Sequence, residues 1–189
     1  MLVKICGVKD PETAAFAAQC GADFIGCILT AGFRRSVDAS TALSIARAAR
    51  AAGAQPVGVF VSASQEEIEL TCQQLGIDCV QAYNGPAILP PHLSRFYVNS
   101  PEAELRADCD FLLMESADPG SGKSIDFDTF TPPQNKPWIL AGGLTPENVE
   151  GLIQRYRPSG VDVSSGVEVE GKKDFNRIRA FIEKVQEYD

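Results

Sequence analysis

One histidine, His92, in 189 residues leaves little to hold a metal ion, and none of the six cysteines forms a CxxC pair. Zinc ligation is therefore poorly supported. Runs of lysine and arginine are also missing from a chain whose formal net charge is -8. That balance argues against nucleic acid or an anionic membrane as the main partner. It leaves small anionic substrates open, because one local positive site is enough to bind a phosphate. No apolar stretch approaches the length that spans a bilayer, and the N-terminal residues lack the pattern of a secretory signal. The expectation is a cytoplasmic protein with Cys6, Cys20, Cys27, Cys72, Cys79 and Cys109 reduced, most of them serving as small packing residues. Internal repeats, low-complexity tracts and linkers are lacking too, so residues 1–189 are read as one domain.

What is present is a regular alternation. Near-continuous apolar runs fall at 2–6, 24–29, 56–61, 79–83, 95–98, 111–114, 138–141 and 160–163. Unbroken apolar runs of this length suit parallel strands covered on their outer face. Helical patterns lie between them at 10–20, 38–52, 64–75, 145–156 and 173–187. Asp10 before Pro11 is a helix start, Ser64 with Glu67 is a capping box, and Gly21, Gly53 and Gly76 are stops. The segments 85–94, 101–106 and 124–130 allow only a turn or two. Eight strands with crossovers predict an α/β (β/α)8 barrel, a minimal one with shortened helices in its central third. An open sheet with fewer strands is the alternative.

In such a barrel, chemistry gathers where the strands end. The first run ends in Cys6-Gly7. The seventh leads into Gly142-Gly143 before a helix, and the eighth into Ser164-Ser165-Gly166. Small residues at adjacent positions after strands seven and eight suit a phosphate site. Gly120-Ser-Gly-Lys-Ser124 resembles the tail of a P-loop, but the first glycine of that motif is missing and no strong helix follows. A loop that closes over a ligand is the better reading, and Asp126 lies just beyond it. Arg34-Arg35 follows the second strand, and a guanidinium there can clamp a carboxylate through its planar fork. Lys4 shares strand parity with Cys6, which points it into the barrel, where it can pair with an inward carboxylate such as Asp162.

Val3-Lys-Ile-Cys-Gly7, Gly120-Ser-Gly-Lys123 with Asp126, Leu140-Ala-Gly-Gly-Leu144 with Pro146-Glu-Asn-Val149, and Gly160-Val-Asp-Val-Ser-Ser-Gly-Val-Glu168 together resemble the phosphoribosylanthranilate isomerases of tryptophan biosynthesis. The resemblance implies a cofactor-free Amadori rearrangement of a small phosphorylated substrate, with Cys6 as general base and Asp126 as general acid. It further implies Arg35 at the anthranilate end, and Gly142, Gly143, Ser164, Ser165 and Gly166 at the phosphate, with Asp162 in the binding set. Phe33-Arg-Arg-Ser36 and Gln81-Ala-Tyr-Asn84 depart from the S-P-R-Y and Q-L-H-G patterns usual in that family. Two alternatives stand beside it: another phosphosugar isomerase or epimerase on the same barrel, and a non-catalytic phosphosugar-binding protein. Oligomeric state is left open, with a monomer favoured. Gly7 is expected to leave room for substrate beside the sulfur.

Overall fold

The computed structural model describes residues 1–83, 89–90, 92–98, 110–115, 130–134 and 136–188. Eight parallel strands close on themselves in chain order: β1 (Leu2–Ile5), β2 (Phe24–Ile28), β3 (Gln55–Phe60), β4 (Cys79–Ala82), β5 (Ser94–Val98), β6 (Phe111–Met114), β7 (Trp138–Leu140) and β8 (Gly160–Val163). β8 returns to β1 in a register that sets Lys4 opposite Asp162. The closed barrel excludes the open-sheet alternative. Each expected strand is present, with its ends moved by no more than one residue.

The outer ring contains α1 (Pro11–Gln19), α2 (Ala39–Ala51), α3 (Gln65–Leu75), α4 (Val149–Tyr156) and α5 (Phe175–Gln186). The expected caps form: the Asp10 side chain accepts from the Thr13 N–H, and Ser64 and Glu67 cap each other reciprocally. Gly76 closes α3 in the left-handed conformation, φ 62°. None of the helices among the described residues is long and apolar enough to cross a membrane.

Two helices differ from the sequence reading. The helix expected over 145–156 begins at Val149. Thr145 Oγ1 accepts from the Glu147 N–H and Asn148 Oδ1 accepts from the Thr145 N–H, which folds the preceding residues into a turn. These short polar side chains compete with the helix for backbone groups. The helix expected from residue 173 is instead capped by Asp174. Ahead of it stands a hairpin, β9 (Glu168–Val169) and β10 (Lys172–Lys173). Its turn, Glu170-Gly171, has positive φ at both residues, as a two-residue hairpin of the primed type requires. The short segment expected at 101–106, and that expected at 124–130 up to residue 129, lie outside the described residues, and with them the shortened central helices.

Strand parity divides the core in two. Ile5, Ile25, Val80, Leu112, Leu140, Val161 and Val163 face outward and pack under the helices with Ala14, Ile45, Ile178 and Phe181. Phe24, Val57, Val59, Cys79, Phe96, Leu113, Ile139 and Ala141 fill the barrel itself. Phe24 meets Phe96 edge-on at 5.2 Å, and Phe96 stacks on Phe111 at 5.3 Å. This aromatic floor closes the lower barrel and leaves its polar residues above, at the strand ends.

Candidate active site

Cys6 follows β1 immediately, and its N–H donates to Val163 O at the end of β8. The adjoining strand fixes the thiol at the barrel mouth, almost fully buried. Burial raises the pKa of Cys6 above that of an ordinary thiol, while Lys4 and Lys173 pull it back down. Burial dominates at Cys27, Cys72 and Cys79, which are pushed up to about 12. These three are inert packing thiols, as expected; no cysteine among the described residues is bridged.

Below the sulfur lies the pair foreseen from strand parity. Lys4 Nζ stands 3.0 Å from Asp162 Oδ1, with the lysine side chain 1% exposed. The lysine points to the same side as the Cys6 sulfur and draws the pKa of that thiol down.

Around the mouth, the eighth loop touches both neighbours. Ser164 Oγ donates to Cys6 O at 3.1 Å. Gly166 sits so close to the seventh loop that a Cβ would overlap the carbonyl of Leu144. The two small-residue loops therefore abut. Gly142 and Gly143 both take positive φ, 82° and 74°, and Asn148 Nδ2 donates to Gly143 O. Arg177 ties the loops together from α5: it donates to Gly166 O and pairs with Glu147.

The rim is a cationic cluster built on one carboxylate. Glu168 receives Arg34 at 2.7 Å, Arg35 at 2.6 Å and Lys173 at 3.1 Å. Burial alone would raise its pKa, but these partners hold it down at about 2. Lys173 also donates to Ser164 O at 2.8 Å. Arg34 is largely exposed and reaches Gly171 O, whereas the Arg35 side chain is only 9% exposed. The stem of Arg35 lies across Gly7, where a Cβ would overlap it. Arg35 thus takes the side-chain position of Gly7, while Gly7 itself still lines the cavity at the mouth. Beyond Arg35 a cavity of about 400 Å³ opens, lined by Lys9, Arg35, Glu168, Lys172, Lys173 and Phe175 among others.

Across the mouth, Gln81 Nε2 donates to Tyr83 Oη at 2.8 Å, and the Tyr83 hydroxyl acts on Glu115 just after β6, working against the effect of burial on that carboxyl. Burial raises the pKa of Glu115 to about 7. Gln81, Tyr83 and Glu115 alternate with outward residues on their strands and so face inward.

Cys6, Asp162, Ser164 and Arg35 thus stand together, with the loops of Gly142–Gly143 and Ser165–Gly166 beside them. Asp126 and the loop 120–123 lie outside the described residues. Sequence reasoning missed Glu168, Lys173, Tyr83 and Glu115 as members of this region. The turn pair Glu170-Gly171 between Val169 and Lys172 was a readable hairpin signal that would have returned Lys173 to the mouth. For Tyr83 and Glu115 the signal was parity with the inward Gln81 and Leu113.

Residues 3–184 match the family model described as N-(5'-phosphoribosyl)anthranilate (PRA) isomerase. The chain is 38% identical to the N-(5'-phosphoribosyl)anthranilate isomerase of Chlamydia felis, covering 98% of this chain and 97% of that protein. The crystal structure of phosphoribosyl anthranilate isomerase from Thermus thermophilus superposes with TM-score 0.83 at 27% identity, over 100% of both chains. A phosphoribosyl anthranilate isomerase solved in complex with reduced 1-(o-carboxyphenylamino)-1-deoxyribulose 5-phosphate gives TM-score 0.78 at 28% identity, over 99% of this chain and 100% of that one. The thiol-ended first strand, the abutting small-residue loops and these full-length matches lead to one conclusion: the chain belongs to the N-(5'-phosphoribosyl)anthranilate isomerase family.

Proposed function

We propose that the protein isomerises N-(5-phosphoribosyl)anthranilate to 1-(2-carboxyphenylamino)-1-deoxyribulose 5-phosphate in tryptophan biosynthesis, with Cys6 as general base and Asp126 as general acid. The carrying observation is the thiol of Cys6 at the mouth, joined through Ser164 to a loop that abuts Leu144, the residue after Gly142–Gly143. A phosphate held on the two loops brings the sugar over the sulfur. The reduced compound bound by the structural relative has the skeleton of this product.

The chemistry is proton movement within one molecule. Asp126 protonates the furanose ring oxygen, and the ring opens to a Schiff base. Cys6 as thiolate removes the proton from C2, leaving an enolamine that tautomerises to the ketone. Substrate and product are isomers, so acid–base groups suffice. The ordinary order of the two groups is the reverse, carboxyl near ~3.9 and thiol near ~8.5, so the site must push the acid and the base in opposite directions. Arg35 takes the anthranilate carboxylate, and the backbone of Gly142, Gly143, Ser164, Ser165 and Gly166 takes the phosphate. Asp162 serves the site from beneath.

Turnover of N-(5-phosphoribosyl)anthranilate is the direct test. Cys6→Ala and Asp126→Asn are each expected to lower kcat by about 10²–10⁴-fold with KM little changed. Parent-like turnover by either variant removes its role. A parent enzyme that leaves this substrate intact while isomerising another aldose phosphate overturns the reading.

A further inference from the structure

β1 turns Lys4 and Cys6 to the same side, one pleat apart. Lys4 is among the largest fully buried side chains of the protein and stands over the Phe96 ring, 5.9 Å from its centroid. Its ammonium has three protons to donate. One goes to Asp162, set opposite by the β1–β8 register, and the others are left on the side that Lys4 shares with the Cys6 sulfur. On the other flank is Gly26 of β2, where a Cβ would come within 2.9 Å of Cys6 Sγ and 3.3 Å of Lys4 Nζ. The backbone there is bare where the sulfur and the ammonium come together. An ion pair taken wholly out of water is a poor source of stability, since desolvation offsets its attraction. Its placement against a thiol is better explained by what it does to that thiol.

We propose that Lys4 is the counter-ion of the Cys6 thiolate and that Asp162 is the group that fixes it there. This deepens the reading of Cys6 as base and rests on it. Asp162 aims the ammonium and balances its charge while Cys6 is a thiol. When Cys6 loses its proton, the same ammonium faces a thiolate in a low-dielectric setting, where the attraction is strong. Lys4 remains protonated throughout: burial works against its charge, but Asp162 and Cys6 together lift its pKa well above the ordinary lysine range. It acts through the base rather than on the substrate, and so is a positioning residue.

The other groups facing Cys6 are committed elsewhere. Lys173 approaches from β10 but is bonded to Glu168 and Ser164. Arg35 is bonded to Glu168. Tyr83 arrives from the β4 side with Glu115 behind it, and neither brings positive charge.

The test reads the thiol directly. Alkylation of Cys6 by iodoacetamide, followed across pH by mass spectrometry of its peptide, gives the apparent thiol pKa without turnover. Lys4→Met leaves Asp162 buried without its partner, so it is made both alone and with Asp162→Asn, which removes both charges. In the folded double variant the alkylation curve is expected to move at least one pH unit upward, with kcat falling about 100-fold and KM within about threefold. Lys173→Met is expected to move the curve by less. A double variant that folds but keeps the parent's alkylation curve overturns the proposal, as does a larger shift in Lys173→Met. If Cys6→Ala turns over like the parent, the base assignment itself has failed, and Lys4 falls with it. If Cys6→Ala is inactive while the Lys4 variants keep the parent's curve, only the counter-ion role has failed.

Discussion

The barrel interior and the barrel rim each hold an ion cluster within reach of Cys6, and the two are built on opposite plans. Inside, one lysine meets one aspartate with almost no solvent contact. At the rim, one carboxylate serves three cations, and Arg34 stands 55% exposed to water. The interior pair is charge-balanced, so its energetic influence is local and directed at whatever it touches, which is the sulfur. The rim carries an excess of positive charge in a chain of net charge -8. It is therefore a local attractor for an anion on an otherwise repelling surface. Burial decides which cluster tunes a pKa, and charge excess decides which one recruits a ligand.

The largest expected effect comes from breaking the interior pair on one side. Asp162→Ala leaves the Lys4 ammonium in the barrel without its carboxylate, and loss of one partner of a buried pair costs about 3–5 kcal/mol. Chemical denaturation of Asp162→Ala beside the Lys4→Met/Asp162→Asn double variant measures it, with the double variant expected to recover most of the loss. Equal loss in both would mean that packing, not charge, holds this part of the barrel.

Carboxylates on the two sides of the mouth sharpen the comparison through pH. Glu168 has a folded pKa of about 2, below its ordinary value of 4.5, because its cationic partners overcome the effect of burial. Its folded form binds the proton less readily than its unfolded form. The stability it contributes is therefore present above about pH 4.5 and lost as pH falls toward 2. Glu115 runs the other way. Burial raises it from 4.5 to about 7, so its contribution is full below pH 4.5 and is lost as pH rises through 7. Glu168→Gln is expected to flatten the acid limb of the stability curve, and Glu115→Gln the limb between pH 4.5 and 7. Screening at the rim keeps the first effect below that of breaking the interior pair. Melting temperature followed from pH 3 to 8 checks both signs, and a Glu115→Gln profile that still falls between pH 4.5 and 7 would contradict the assignment.

The same contrast explains what could be read from the sequence. The eight strands were legible because each is an apolar run bounded by turn residues. The Lys4–Asp162 pair was legible because strand parity is a fixed period of two. Caps at Asp10 and Ser64 followed from local rules that hold without tertiary context. The rim was only partly legible. Lys173 read as the start of a helix, because the long periodic run after it outweighed the Glu170-Gly171 turn signal ahead of it. Glu168 was visible as the end of a motif, but its partners lie about 134 positions away in Arg34 and Arg35, a pairing that only barrel closure creates. The overlap of Arg35 with Gly7 has the same origin: a glycine advertises space, and only the fold says what fills it. Parity turns Tyr83 and Glu115 inward, but that they come together across the mouth follows only from the closure of the barrel.

The smallest effect separates the two arginines. Arg34 and Arg35 share Glu168, so sequence adjacency and ion-pair geometry alone make them look equivalent. Exposure makes them different. Arg34 works largely in water, where such a pair contributes about 0–1 kcal/mol, and Arg34→Ala is expected to change stability by no more than that and KM by less than about threefold. Arg35 lies over Gly7 with its side chain 9% exposed, bidentate to Glu168 through Nε and a terminal nitrogen. Glu168 holds the guanidinium in place before any ligand arrives and leaves its other terminal N–H groups to bind a carboxylate, which lowers the entropy lost on binding. Arg35→Ala is therefore expected to raise KM about tenfold or more while kcat changes less, since a bound carboxylate is equally present in ground and transition states. Arg35→Lys keeps the charge but loses the fork, and should recover only part of that loss. Should Arg34→Ala raise KM more than Arg35→Ala, the exposed arginine would be the ligand's partner, and Arg35 would be left as a brace between Gly7 and Glu168.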